Sequence, residues 1–219
     1  MASMFRTRVK ICCISSIDEA QLAIRYGASA IGLVSAMPSG PGPIPENLIA
    51  GIARIVPPGV DTFLLTCKQT AAEVIDQQRR TKVTTIQLVD QFPVDEYAVL
   101  KNQLPGIRIV QVIHVRDSQS IKYASAIAPH VDAILLDSGN PSLTVKELGG
   151  TGRIHDWSIS KRIRDAVAVP VFLAGGLHAE NVRQAVEKVN PFAVDVCSGV
   201  RTNNRLDEKK LARFFAALP

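Results

Sequence analysis

Residues 9–35 read VKICCISSIDEAQLAIRYGASAIGLVS, and they hold one complete unit of the fold with the start of the next. A short apolar run over 9–14 is followed by Ile17, Ala20, Leu22, Ala23 and Ile24 at helical spacing, then by a second apolar run over 30–35. Ser16 with Glu19 three residues on forms a capping-box signature, and Gly27 stands where a C′ glycine ends a helix. The same alternation continues along the chain. Strands are expected over 9–14, 30–35, 62–66, 84–89, 107–113, 133–137, 171–174 and 193–197, each followed by a helical pattern. Pro45 opens the second helix and Pro57-Pro58 closes it, while Pro105-Gly106 stops the fourth. Asp156 or Trp157 leads into a helix beginning near Ser158, and a closing helix runs from about Leu206 to Ala217.

Repeated β-then-α units imply right-handed crossovers and a parallel sheet. Eight of them in 219 residues make an α/β chain, a parallel eight-stranded (β/α)8 TIM barrel near the lower end of its size range. The rival is an open, doubly wound sheet. It wants a glycine-rich turn after the first strand, where this chain has Cys-Cys-Ile-Ser-Ser. One domain over 1–219 is expected, with residues 1–7 a short tail.

The composition agrees with this reading. Hydrophobic residues make up 47% of the chain but aromatics only 5%, so the core must be built from aliphatic side chains, as in a parallel sheet buried on both faces. No apolar run approaches the roughly 18 residues of a bilayer span and no signal-peptide core is visible, so a cytoplasmic protein without membrane contact is expected. The net charge of +5 is a small, scattered excess that could favour anionic ligands. Arg79-Arg80-Thr81-Lys82 has no aromatic neighbours and reads as a solvated helix end, not a nucleic-acid surface. Cys12, Cys13, Cys67 and Cys197 form no CxxC pair and have no histidine at ligand spacing, so no metal site is expected. On a strand, Cys12 and Cys13 project to opposite sides, which argues against a bridge between them. Nothing demands an assembly beyond a monomer or homodimer.

In a barrel the site forms at the carboxyl ends of the strands. Reading along those ends gives Cys12, the loop 36–44, Thr66-Cys67, Val89-Asp90, His114, Asp137 with the loop 138–155, Gly175-Gly176 and Ser198-Gly199. Glycines after strands seven and eight let backbone N–H groups approach a ligand, and this is the usual barrel position for phosphate. The alternative is that they only make tight turns. Asp137 ends the otherwise apolar strand Ala-Ile-Leu-Leu-Asp, and a carboxyl group emerging from so apolar a wall is suited to hold and donate a proton. The alternative is a loop cap. Cys12 could act as a base if its thiolate is stabilised, but position alone makes it a small core hydrophobe.

The motifs resemble those of phosphoribosylanthranilate isomerases. Val9-Lys10-Ile11-Cys12 is similar to the family's opening Lys-Ile-Cys-Gly-Ile-Thr, and Ile134-Leu135-Leu136-Asp137-Ser138 to its aspartate strand. Gly149-Gly150-Thr151-Gly152 with Asp156-Trp157, Leu173-Ala174-Gly175-Gly176-Leu177 with Glu180-Asn181-Val182, and the stretch from Pro191 to Val200 resemble its last three motifs in order. The resemblance spans the chain from Val9 to the final helix. It implies an Amadori rearrangement of N-(5′-phosphoribosyl)anthranilate in tryptophan biosynthesis, with Asp137 the general acid and Cys12 the general base. Gly175, Gly176, Ser198 and Gly199 would take the substrate phosphate, Gly152 and Asp195 would lie near the rest of this phosphorylated sugar, and no metal or organic cofactor is implied.

The chain departs from the pattern in four places. The family's arginine after strand two is missing from Met37-Pro38-Ser39-Gly40-Pro41-Gly42-Pro43, which has no basic residue to grip a carboxylate. Val89-Asp90 stands for His-Gly after strand four, Cys13 for a glycine, and Arg201 for an acidic residue. The retained residues serve the sugar phosphate, and the altered ones surround the aglycone. Arg153, Arg201 and His114 are the basic candidates to compensate, although exposed basic loop residues are more often simply solvated; for His155 and His178 a satisfied or solvent-facing imidazole is the default. The alternatives are a barrel that isomerises a different phosphorylated aminosugar and a non-catalytic sugar-phosphate-binding protein.

Overall fold

The computed structural model describes residues 7–139, 152 and 154–219. Its strands are β1 (Arg8–Ile11), β2 (Ala30–Val34), β3 (Asp61–Thr66), β4 (Thr85–Leu88), β5 (Arg108–His114), β6 (Ala133–Asp137), β7 (Val171–Leu173) and β8 (Ala193–Val196). They close into a parallel barrel in sequence order. The closing pair sets Arg8, Val9, Lys10 and Ile11 of β1 beside Ala193, Val194, Asp195 and Val196 of β8, which excludes the open sheet. The helices between strands are α1 (Ile17–Arg25), α2 (Glu46–Ile55), α3 (Ala71–Thr81), α4 (Val94–Gln103), α5 (Gln119–Ile127), α6 (Trp157–Ala166) and α7 (Val182–Val189), and α8 (Glu208–Ala217) follows β8.

The period of two along each strand divides the apolar residues into two layers. On β5, Ile109 and Ile113 face the helices while Val110 and Val112 face the barrel axis. The inner layer is small. It includes Ala30, Leu65, Leu135 and Ala193, with Phe63 and Phe172 meeting edge-on at 5.7 Å between centroids. The outer layer joins strands to helices through Ile31, Leu64, Ile86, Ile134 and Val194 packed with Ala20, Ile52, Val74, Leu100 and Phe214.

The local boundary chemistry acts largely as read. Ser16 Oγ caps α1 by accepting from Glu19 N, and Gly27 follows with φ +98°. Pro45 precedes α2, Gly106 turns the chain into β5 with φ +87°, and Asp156 caps α6 by accepting from Ser158 N.

Two features differ from expectation. Strand β1 stops at Ile11, three residues early, because Cys13 is left-handed (φ +61°) and breaks the extended run. Cys12 and Cys13 therefore both join the inner cluster and do not project to opposite sides. Beyond β8, a small antiparallel hairpin of β9 (Arg201–Thr202) and β10 (Arg205–Leu206) turns through Asn203 and Asn204, both left-handed. Asparagine is among the few residues that accept this conformation readily.

Candidate active site

A pocket opens at the carboxyl ends of the strands. On one side it is lined by Asp137, Gly152, Gly175, Gly176, Asp195 and Ser198; on the other lie Val34, Met37, Pro41, Leu65, Gln87 and Val89. Six of the eight residues expected at the site thus line one cavity. Cys12 is not among its lining residues and Gly199 lines a neighbouring groove with Ser198, while Gly149, Gly150, Thr151 and Arg153 lie outside the described residues.

The floor is set by the β1–β8 seam. Lys10 points into the barrel with no exposed surface, and its Nζ donates to Asp195 Oδ1 at 3.0 Å. Burial opposes the ammonium, but Asp195 and Cys12 outweigh it and hold Lys10 above its usual range; burial likewise pushes the Asp195 carboxyl up. A Cβ at Gly32 of β2 would lie 2.9 Å from Cys12 Sγ and 3.0 Å from Lys10 Nζ. Cys12 therefore packs on a bare glycine beside the ammonium, 7% exposed, one step along the interior from Lys10. Its neighbour Cys13 faces the pocket together with Cys197.

Asp137, at the end of β6, is half-buried and accepts from its own loop: Ser138 N at 2.7 Å and Ser138 Oγ at 3.4 Å, both to Oδ1. Behind it stands His155, whose Nε2 lies 2.7 Å from Ser160 Oγ on α6. The His155 Nδ1 is buried and has no hydrogen-bond partner among the described residues. A Cβ at Gly175 would come within 2.8 Å of that Nδ1 and 3.3 Å of Asp137 Oδ1, so only glycine, at φ +83°, lets the β7 turn pass between them. Burial holds the His155 imidazole below its usual range, with Asp137 opposing.

The β7 turn is held by Asn181, whose Nδ2 donates to Gly176 O at 3.0 Å while its Oδ1 accepts from His178 N. Gly199 is required for a different reason. A Cβ there would meet Leu177 O at 2.0 Å, so its absence lets the loops after β7 and β8 touch backbone to backbone. Ser198 opens a single 3-10 turn, Ser198–Val200, directly above β8.

The basic candidates for the altered half have other duties. Arg201 is buried, and its guanidinium donates to both Glu19 carboxylate oxygens, to Asn204 O and to the carbonyls of Cys12 and Cys13. His114 Nε2 sits 2.9 Å from Val89 O and lines a separate groove with Gln91 and Arg116. No basic residue is among the described residues that line the main pocket. Sequence reasoning named Lys10 only as part of a motif and His155 only as a loop imidazole, and gave neither a role. The signal for Lys10 was present as a lone charge in an apolar strand; His155 had none, because its burial depends on packing against β6 and α6.

A closed eight-stranded barrel with a carboxyl-lined pocket at the carboxyl ends of its strands defines a (β/α)8 enzyme. Comparison with known proteins narrows this. The model of the N-(5'phosphoribosyl)anthranilate (PRA) isomerase family matches residues 9–217. The N-(5'-phosphoribosyl)anthranilate isomerase of Methanocella arvoryzae is 37% identical over 209 residues, covering 95% of this chain and 96% of that protein. That of Haloarcula marismortui is 35% identical over 210 residues, covering 95% and 94%. Among solved structures, phosphoribosyl anthranilate isomerase from Thermotoga maritima superposes with a TM-score of 0.83 at 28% identity, covering 96% of this chain and 98% of that one. A further such isomerase, in complex with reduced 1-(o-carboxyphenylamino)-1-deoxyribulose 5-phosphate, gives 0.81 at 26% identity, covering 96% and 97%. The chain belongs to the N-(5'-phosphoribosyl)anthranilate isomerase family.

Proposed function

We propose that this protein catalyses the Amadori rearrangement of N-(5′-phosphoribosyl)anthranilate, the isomerisation step of tryptophan biosynthesis, with Asp137 as acid and Cys12 as base. Asp137 protonates the furanose ring oxygen, the ring C–O bond breaks, and a Schiff base forms. Cys12 removes the proton from C2′ to give an enolamine, which tautomerises to the ketone. Cys12 Sγ and the Lys10 ammonium meet over the bare backbone of Gly32. His155 stands behind Asp137, its ring oriented by the Nε2 contact with Ser160 Oγ so that Nδ1 lies at the Gly175 turn beside the carboxyl. The phosphate rests against backbone N–H groups of Gly175, Gly176, Ser198 and Gly199, with Gly152 and Asp195 near the ribose.

The observation that carries this reading is the convergence of Asp137, the Gly175-Gly176 turn, Asp195 and Ser198 on one pocket from β6, β7 and β8. The test is turnover by the purified protein. Cys12→Ala and Asp137→Ala should each lower kcat by about 10²–10⁴-fold, the usual contribution of a positioned acid or base. Cys13→Gly is the control for the thiol that faces the pocket. Undetectable wild-type turnover, beside a working isomerase of the family, sinks the proposal. The uncharged wall of Val34, Met37, Pro41, Leu65 and Val89 favours one second reading, the same chemistry on an aminosugar phosphate with a different aglycone; a panel of ribosylamine phosphates decides between the two.

We read residues 1–219 as one barrel domain with 1–7 a tail. A cytoplasmic location is supported by four cysteines that are all free, and no helix among the described residues is long and apolar enough to cross a membrane.

A further inference from the structure

The seam between β1 and β8 brings two thiols into contact at the pocket. Cys13 Sγ and Cys197 Sγ stand 2.9 Å apart although the residues are 184 positions apart in sequence. Both are free and both line the pocket, within reach of small solutes. The backbone favours the meeting. Cys13 is left-handed, and Cys197 (φ −121°, ψ −85°) lies just past the end of its strand, so neither is locked into the ladder. The loop after β2 backs the pair, since a Cβ at Gly42 would fall 2.7 Å from Cys13 Cβ. Cys13 has little room to swing away.

We propose that Cys13 and Cys197 form an oxidisable dithiol site that hydroperoxides convert to a disulfide. The two sulfurs need to approach by less than an ångström to reach the bonded distance of about 2.05 Å. The groups facing them set the order of events. The hydrogen bond between the two thiols, aided by the Arg201 guanidinium, holds the Cys197 thiol below its usual range, with burial and Asp195 opposing. Hydrogen bonds with Cys12 and Cys197, together with burial, push Cys13 well up. Cys197 is therefore the nucleophile and Cys13 the resolving thiol.

The Cys197 thiolate attacks the terminal oxygen of the hydroperoxide and the O–O bond breaks. Cys197 becomes a sulfenic acid, and the departing alkoxide takes a proton to leave as the alcohol, or as water from hydrogen peroxide. Cys13 Sγ then attacks Cys197 Sγ, the S–S bond forms, the S–OH bond breaks, and hydroxide leaves as water with the Cys13 proton. Two thiols give up two electrons, and the peroxide accepts them. A metal is not the natural occupant, because no group of three His, Cys, Asp or Glu side chains among the described residues is arranged to hold one.

The test does not depend on turnover. The reduced full-length protein is treated with equimolar hydrogen peroxide, alkylated, and examined by intact mass and by sequencing of cross-linked peptides, whose fragment ions separate Cys12 from Cys13. The expected product has two of its four thiols blocked, has lost two hydrogens, carries a Cys13–Cys197 link, and returns to the starting mass with dithiothreitol. Cys13→Gly suits the left-handed backbone and so folds; it should lower cross-link yield at least about tenfold and drive Cys197 on to the sulfinic acid. Wild-type protein that keeps four alkylatable thiols overturns the proposal. So does one that links Cys197 to Cys12 or Cys67, or gains oxygen at Cys197 without cross-linking.

Discussion

Removing either side of the Glu19–Arg201 clasp should cost far more than a surface ion pair. The side chains are 12% and 7% exposed, and Arg201 Nη2 lies 3.0 Å from Glu19 Oε2. Glu19 also accepts from Ser15 N at 2.9 Å and Leu206 N at 2.8 Å, so Glu19→Ala strands two backbone donors together with a buried guanidinium. An unpaired buried charge costs about 3–5 kcal/mol when its partner is removed. The remaining carbonyl acceptors of Cys12, Cys13 and Asn204 soften this, which places the expected loss near 3 kcal/mol. Arg201→Met strands the Cys12 and Cys13 carbonyls and a carboxylate, and should cost about the same. The double variant removes both charges and should be more stable than the sum of the singles by about 2 kcal/mol, the coupling expected of buried partners in contact.

Urea unfolding of the four proteins at pH 7 gives the cycle. The pH dependence adds a second check. Burial raises the Glu19 carboxyl, but hydrogen bonds from Arg201, Leu206 and Ser15 outweigh it and leave it below its ordinary 4.5. A lowered carboxyl pKa stabilises the fold fully above the unfolded value, and that stability is lost as pH falls through the folded value. The gap between wild type and Glu19→Ala should therefore be constant near neutrality and shrink below about pH 4.5. Single variants that each lose less than about 1 kcal/mol and combine additively would refute the reasoning, for that is how exposed pairs behave.

Three further outcomes follow from the geometry. Gly199→Ala must push Leu177 O back by about an ångström from its 2.0 Å approach, and should cost roughly 1–3 kcal/mol in urea unfolding while weakening binding of a ribose-phosphate analogue. His155, lowered by burial from its ordinary 6.5, takes up protons more readily unfolded than folded, so stability should fall as pH drops below about 6.5. In His155→Phe that acid-side decline should be smaller; an unchanged stability profile from pH 4 to 7 counts against a buried, neutral imidazole. Finally, a pocket without a described cation near its apolar wall should discriminate weakly between the anthranilate substrate and its decarboxylated aniline analogue. A kcat/KM ratio within about tenfold is expected, and a ratio above about a hundredfold would reveal a charge-assisted grip.

The fold was legible because its signals are local. Helical spacing after each apolar run, Gly27, Pro45 and Gly106 at the ends, and Asp156 before Trp157 each depend on a few neighbouring residues. The early end of β1 was not, since Cys-Cys-Ile reads as strand and nothing in it marks a left-handed cysteine. The hairpin at Asn203-Asn204 carried a readable turn signal that the expected closing helix obscured. At the site, position and motif gave Asp137 and the glycine turns. They could not give the reason for Gly199, which lies in Leu177 O, nor the burial of Arg201, whose partner is 182 residues away. Charges are buried or solvated according to tertiary neighbours, and one strand end says little about them.

The long-range contacts missing from that local reading share one place, and the place explains them. Closing a barrel requires its first and last strands to meet, here across about 185 residues, the most distant strand pairing in the chain. Contacts of such separation must overcome the entropy of closing the whole loop. The seam answers with three links: the Lys10–Asp195 ion pair inside the barrel, the Cys13–Cys197 contact at the pocket, and the Arg201 clasp over the Cys12 and Cys13 carbonyls. Cys12 lies among all three. A residue assigned to take a proton from carbon must hold its position closely, since proton transfer demands hydrogen-bond reach. The contacts that close the fold are thus the ones that position the proposed base, and substitutions at the seam should lower stability and turnover together.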